Sequence, residues 1–209
     1  MATILYHHPH TRASNVVWML EEVGVPYELR FVDISTDAQK APEMLALNPM
    51  GKLPVLSDGG QIVTESAAIG LYLADRYALG RLAPKTDDPM RGTYLRWSLF
   101  APSVIEPGTM SKLAKWEFKP SQAGWGSYEA MLVAMESALV GRSFILGEQF
   151  SMADVIFGGT LRYMLAFKLI EASPLLTAYS ERLAQRPALQ RGEAVNTKAR
   201  KEHRLEGSN

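Results

Sequence analysis

The sequence predicts an α/β domain followed by an all-α domain, and three observations predict it. Short β-type runs alternate with helical patterns up to about residue 80, after which almost everything is helical or loop. Asp58-Gly59 separates two of the β-type runs, as in a hairpin. The 209 residues are enough for one domain or two small ones with a sizeable core.

Thr3 to His7 is β-branched and aromatic and reads as a buried strand, ended by Pro9. From Arg12 to Val23 the apolar residues Ala13, Val16, Val17, Leu20 and Val23 fall at helical spacing. Gly24 sits where a C-terminal cap belongs, and Pro26 prevents continuation. Tyr27 to Val32 alternates as a second strand, and a short helix is expected over Pro42–Leu47. Leu53–Leu56 and Gln61–Thr64 read as the hairpin strands, and Glu65 to Tyr77 returns to helical period. Two strands joined through a helix should be parallel, and the hairpin adds an antiparallel edge. That order is the thioredoxin-like layout.

Domain 1 is therefore placed at residues 1–80 and an all-helical bundle domain at 88–209, with 81–87 as linker. In the second part, a helix over 89–101 should break at Pro102 and Pro107-Gly108, and another is expected over 121–140, ended by Gly141. Ser151 followed by Asp154 is an N-terminal capping signature, and Pro174 and Pro187 mark further helix boundaries. The aromatic residues Tyr94, Trp97, Phe100, Trp116, Trp125 and Tyr163 read mainly as core, and the basic run Lys198, Arg200, Lys201, Arg204 as a solvated tail.

Composition narrows the chemistry. With 22 Lys+Arg against 22 Asp+Glu, no field concentrates nucleic acid or an anionic membrane surface, so neither is an expected partner. Residues 1–8 have no basic n-region, so no targeting segment is expected, and no run approaches the roughly 18 apolar residues a membrane helix needs. A cytoplasmic location is the expectation. The absence of cysteine excludes a disulfide framework, a thiolate metal site and a cysteine nucleophile. Thiol chemistry here must use a thiol brought by a ligand. His7, His8 and His10 lack carboxylate or cysteine partners at ligand spacing, so no metal is expected.

Asn48-Pro49-Met50-Gly51-Lys52-Leu53-Pro54-Val55-Leu56, followed by Glu65-Ser66-Ala67-Ala68-Ile69, resembles the glutathione-binding region of cytosolic glutathione S-transferases. Pro9-His10-Thr11-Arg12-Ala13, Leu20-Glu21-Glu22 and Ser151-Met152-Ala153-Asp154 are also similar to that family, in a bacterial variant with a serine/threonine-type N-terminal motif. The resemblance implies a cis proline at Pro54, with Leu53 pairing its backbone to the cysteinyl part of glutathione, an edge-strand mode of recognition. It implies that Glu65 and Ser66 hold the γ-glutamyl end, and that Gln39, Lys40 and Lys52 lie near the glycine carboxylate.

It further implies a hydroxyl that activates the thiol in the loop after the first strand. Alignment on Pro9 puts Thr11 at that position, with Thr replacing Ser. Tyr6 is the tyrosine alternative, although His7 takes its place in a proline-anchored alignment, and strand alternation sends Tyr6 and His7 to opposite faces. Arg12 could support the thiolate or form a surface ion pair, and Thr11 could simply cap the first helix. On this basis the chain is expected to conjugate glutathione, as co-substrate, to small hydrophobic electrophiles held against the first helices of the second domain. Glutathione-dependent peroxide or disulfide reduction is a further expectation, as is a homodimer. The alternatives are a non-catalytic scaffold of the same fold, associated with RNA polymerase or translation, and a carrier of hydrophobic ligands.

Overall fold

A computed structural model describes residues 2–205. The chain forms two compact units, one built from the chain up to Tyr77 together with the segment from Arg186 onward, the other from Ala78–Gln185.

The first unit is a four-stranded sheet of order β2-β1-β3-β4, with β1 Thr3–His7, β2 Tyr27–Phe31, β3 Val55–Asp58 and β4 Gln61–Thr64. β1 and β2 are parallel, whereas β3 runs antiparallel to both β1 and β4, as expected. Gly59 and Gly60, at φ 61° and 92°, form the two-residue turn of the hairpin, a geometry that wants residues without Cβ. α1 (Ala13–Val23) buries Ala13, Val16, Val17, Met19 and Leu20 completely and ends at left-handed Gly24. α2 is Pro42–Leu47 and α3 is Ser66–Tyr77. At the far end of the sheet the Asp58 carboxylate accepts from Thr3, Tyr72 and Tyr77 hydroxyls and pairs with Arg76. Those donors hold the Asp58 carboxyl below its ordinary range against the burial that would raise it.

The last helix, α9 (Pro187–Glu202), was placed with the helical domain by sequence pattern, whereas it packs on α1 of the first unit. Gly192 lets the helices meet closely, since a Cβ there would stand 3.2 Å from the Trp18 backbone. Arg186 and Arg191 add ion pairs to Glu22 and Glu21. Nothing in the local pattern of α9 encodes this choice, because amphipathicity names a buried face without naming what covers it.

The second unit opens with a packed segment where a linker was expected: Leu82 and Ala83 are buried, and the Leu82 carbonyl accepts from Met152 N–H at 2.7 Å. α4 (Arg91–Phe100) does not break at Pro102. It continues through a π-helical turn, Ala101–Ile105, into α5 (Glu106–Leu113). The wider turn tolerates a residue that cannot donate, and Ser103 Oγ takes the Leu99 carbonyl at 2.6 Å. α6 is Tyr128–Ser137, starting later than expected, with Ser127 Oγ accepting from Ala130 N–H as its cap, while Pro120–Gln122 forms a separate 3-10 turn. α7 (Met152–Ala166) begins where Ser151 and Asp154 indicate, and Pro174 opens α8 (Pro174–Ala184). Asp154 is fully buried and accepts from Ile145 N–H, Ser151 N–H, Ser151 Oγ and Tyr179 Oη.

Candidate functional site

Sheet topology brings the candidate residues to one end of the first unit. β1 and β4 end there while β3 begins there, with Tyr6 opposite Val55 and Val55 opposite Thr64. The loop after β1 carrying Thr11 and Arg12, the Leu53-Pro54 segment before β3, and Glu65-Ser66 after β4 therefore share that end. The N-termini of α1 and α3 lie there too, and unpaired N–H groups with the positive ends of helix dipoles favour an anion.

The Leu53-Pro54 peptide bond is cis, and Pro54 is buried. The loop delivering it is braced by Asn48, whose Nδ2 donates to the Lys52 carbonyl at 2.9 Å and whose Oδ1 accepts from Met50 N–H at 3.1 Å. Gly51 sits at φ 59°, and a Cβ there would crowd Lys40 Cγ at 3.3 Å, so loop and the Gln39–Lys40 turn are in contact.

Thr11 is half-buried just ahead of α1. Its hydroxyl donates to the His8 carbonyl at 2.8 Å and accepts from Ala13 N–H, the first of α1, at 3.2 Å, one residue ahead of the Arg12 N-cap position. The Ala13 bond and donation to a ligand remain compatible, because the His8 carbonyl also holds Thr11 N–H at 3.1 Å and is not orphaned if the hydroxyl turns away. Arg12 is exposed at the N-cap position of α1. The Tyr6 ring packs against the same Val32, Met44 and Val55 cluster as Leu53, and its hydroxyl accepts from Arg30 Nη1 at 3.4 Å.

Glu65 is exposed, with φ 66° in the left-handed region that costs a non-glycine residue roughly 1–2 kcal/mol. Strain of this kind gathers at ligand clamps. Ser66 follows as the first residue of α3. Gln39 and Lys40 both engage Asp37, at 3.2 and 2.9 Å, and the Lys40 hydrogen bond holds that carboxyl below its ordinary range. The Gln39 Oε1 atom is buried with no partner. Lys52 is exposed. Among the described residues, no group of three His, Asp or Glu side chains could hold a metal ion.

A family profile for the glutathione S-transferase N-terminal domain matches residues 1–75, and one for the C-terminal domain matches residues 119–182. The chain is 31% identical to glutathione S-transferase hmp2 of Hypomyces subiculosus, over 74% of this chain and 79% of that protein. This chain belongs to the glutathione S-transferase family.

Solved structures agree. A glutathione transferase from Methylococcus capsulatus superposes with a TM-score of 0.78 at 28% identity, covering 94% of this chain and 99% of that one. One from Burkholderia graminis, solved with two glutathione molecules bound per subunit, gives 0.73 at 30% identity, covering 91% and 87%. No helix among the described residues of this chain is long and apolar enough to cross a membrane.

In the sequence Asn48 stands only within the Asn48–Leu56 run; its bracing role becomes visible in the structure, although an Asx turn at Asn48-Pro49-Met50 is the local signal for it. His7 is buried at the end of β1, with Nε2 2.8 Å from Asn196 Oδ1 on α9. Burial lowers its pKa to about 4, against that hydrogen bond. No local signal could pair residues 189 positions apart.

Proposed function

We propose that this protein binds glutathione at the Leu53–Pro54 edge, holds its thiol as a thiolate with Thr11, and transfers it to small hydrophobic electrophiles. The observation that carries this reading is the convergence of the Leu53-Pro54 segment, the Thr11 loop and Glu65-Ser66 at one end of the sheet. With the ladder of β3 starting only at Val55, the backbone of Leu53 is available to pair with an extended peptide ligand.

Glu65 and Ser66 receive the γ-glutamyl group, the backbone and hydroxyl donors of the α3 start meeting its carboxylate. Gln39, Lys40 and Lys52 meet the glycine carboxylate. The Lys40–Asp37 pair is exposed, so exchanging partners there costs little. The Thr11 hydroxyl turns from the His8 carbonyl to the sulfur while Ala13 N–H keeps donating to its oxygen. A hydrogen bond to a charged group contributes about 1.5–3 kcal/mol, roughly one to two pKa units of thiol. Arg12 adds positive charge nearby. Because equal stabilisation of ground and transition states does not accelerate chemistry, the electrophile must be positioned as well.

A second reading is reduction of disulfides, favoured by the two glutathiones bound to the Burkholderia graminis relative and by the lack of any protein cysteine. One glutathione thiolate attacks the substrate disulfide and expels a thiolate, which takes up a proton. The second glutathione thiolate attacks the glutathione sulfur of the resulting mixed disulfide, expelling the other substrate thiolate, which takes up a proton, and forming oxidised glutathione.

Calorimetric titration of the full chain with glutathione tests the binding. No heat at millimolar glutathione would leave the scaffold alternative. Once binding is seen, the thiolate absorbance of bound glutathione is followed against pH. In Thr11→Ala the apparent thiol pKa should rise, and an unchanged titration would remove Thr11 as the activating donor.

A further inference from the structure

We propose that Asn196 is a positioning residue for the thiol-activating loop, one amide clamping both ends of the segment that presents Thr11. The inference rests on the reading of Thr11 given above.

Asn196 is buried on α9. Its Nδ2 donates to the Ser14 carbonyl at 3.1 Å, and its Oδ1 lies 2.8 Å from His7 Nε2. A carbonyl only accepts, so the bond to Ser14 orients the amide and leaves Oδ1 toward His7. His7 Nε2 must then carry the proton. His7 is the last residue of β1 and Ser14 lies in the first turn of α1, so the chain between them is the loop bearing Thr11.

The constraint passes onward at both ends. Ser14 donates to the Thr11 carbonyl through both N–H, at 3.0 Å, and Oγ, at 2.9 Å. The His7 carbonyl accepts from Val32 N–H at 2.9 Å, which ties that end into the sheet. The loop's own hydrogen bonds, Thr11 Oγ1 to His8 and Ala13 to Thr11, set the rotamer of Thr11. They do not set where the loop stands relative to Leu53-Pro54; that requires a tether from outside the loop. α9 is a firm base for one, since Arg186–Glu22 and the close Gly192–Trp18 approach hold it on α1. Just beyond α9, His203 stacks on Phe31 at 3.5 Å, and Phe31 in turn packs on His8 of the same loop at 5.3 Å.

The test uses the full chain with glutathione and follows thiolate absorbance against pH in wild type, Thr11→Ala, Asn196→Ala, Asn196→Asp and the Thr11→Ala/Asn196→Ala double variant. Asn196→Asp preserves volume and the acceptor toward His7 but offers no N–H to Ser14, so it carries the test if Asn196→Ala fails to fold. Either variant should raise the apparent thiol pKa and lower kcat/KM about tenfold, a modest share of what misplacement of a catalytic group can cost. Glutathione Kd should change less than about threefold, and in the Thr11→Ala background the added effect should be under about twofold, since residues acting through one another are non-additive.

Folded Asn196 variants that titrate like wild type, or losses that add fully to Thr11→Ala, would overturn the positioning role while leaving Thr11 in place. A Thr11→Ala protein that titrates like wild type overturns the Thr11 reading itself, and the role of Asn196 falls with it.

Discussion

Arg186 grips Glu22 with two charge-assisted hydrogen bonds, Nε to Oε1 at 2.6 Å and Nη2 to Oε2 at 2.8 Å, across 164 residues of chain. Trp18 Nε1 adds a third donor to the same carboxylate at 2.9 Å. The Glu22 side chain is 4% exposed and that of Arg186 is 28% exposed. Removing one partner of such a pair leaves a nearly buried charge. Arg186→Ala should therefore cost about 2–4 kcal/mol, below the fully buried limit because Arg186 is partly in water. Replacing both residues by leucine should cost clearly less than the single change. Urea denaturation compares them, and equal losses would show that the pair is not the source.

Gly192 is the second fastening of α9. Alanine would ordinarily favour a helix by up to about 1 kcal/mol. Here its Cβ would press at 3.2 Å on backbone atoms of Trp18, on a helix packed between sheet and α9 that cannot retreat. Gly192→Ala should lower stability by about 1–2 kcal/mol net. A variant as stable as wild type in thermal melts would mean that α9 shifts freely.

His7 links this packing to pH. Burial, reinforced by His8 and His203 nearby, lowers its pKa from 6.5 to about 4, the Asn196 bond opposing. Between those values the unfolded chain binds the proton and the folded chain does not. Stability should thus rise with pH from about 4 to 6.5 and level off above, a contribution on the order of 3 kcal/mol lost in full by pH 4. His7→Gln should flatten that slope in urea midpoints measured across this range. Identical slopes in the two proteins would refute it.

Asp154 concentrates four donors in the core of the second unit, with no exposure to water. Burial raises its carboxyl above the ordinary value against those donors. Asp154→Ala orphans all four and should cost at least about 3 kcal/mol, whereas Tyr179→Phe removes one donor and should cost about 1–2 kcal/mol. Calorimetric melts rank the two, and a reversed order would contradict the arrangement.

Asn48 bears on the proposed binding through the loop it braces. Without its bonds to Lys52 and Met50 the loop before Pro54 loses its brace. Asn48→Ala should weaken glutathione binding about fivefold, equivalent to about 1 kcal/mol. Unchanged affinity by calorimetry would mean that the Leu53-Pro54 segment does not need this brace.

α1 with its Gly24 stop, the strands β1, β2 and β4 and the Ser151–Asp154 helix start were legible in the sequence because each depends on neighbours a few residues away. The hairpin was legible as well, but β3 runs Val55–Asp58 rather than Leu53–Leu56 and turns at Gly59-Gly60 rather than Asp58-Gly59. The candidate residues Leu53-Pro54 and Glu65-Ser66 stand out in the sequence as short characteristic runs. Pro102 misled because the local rule for proline assumes an α-helical turn, and the chain uses a π turn instead.

By itself, the sequence determined the kinds of element, their order and the absence of any thiol but a ligand's. Only the tertiary structure decided that α9 leaves the helical unit to lie on α1, that Tyr6 turns toward Arg30, and that Asn196 reaches His7 and Ser14. Local periodicity and capping are set by backbone geometry over one or two turns. Contacts across 160 to 190 residues depend on which buried faces fit once the chain has closed, and no short window of sequence contains that fit.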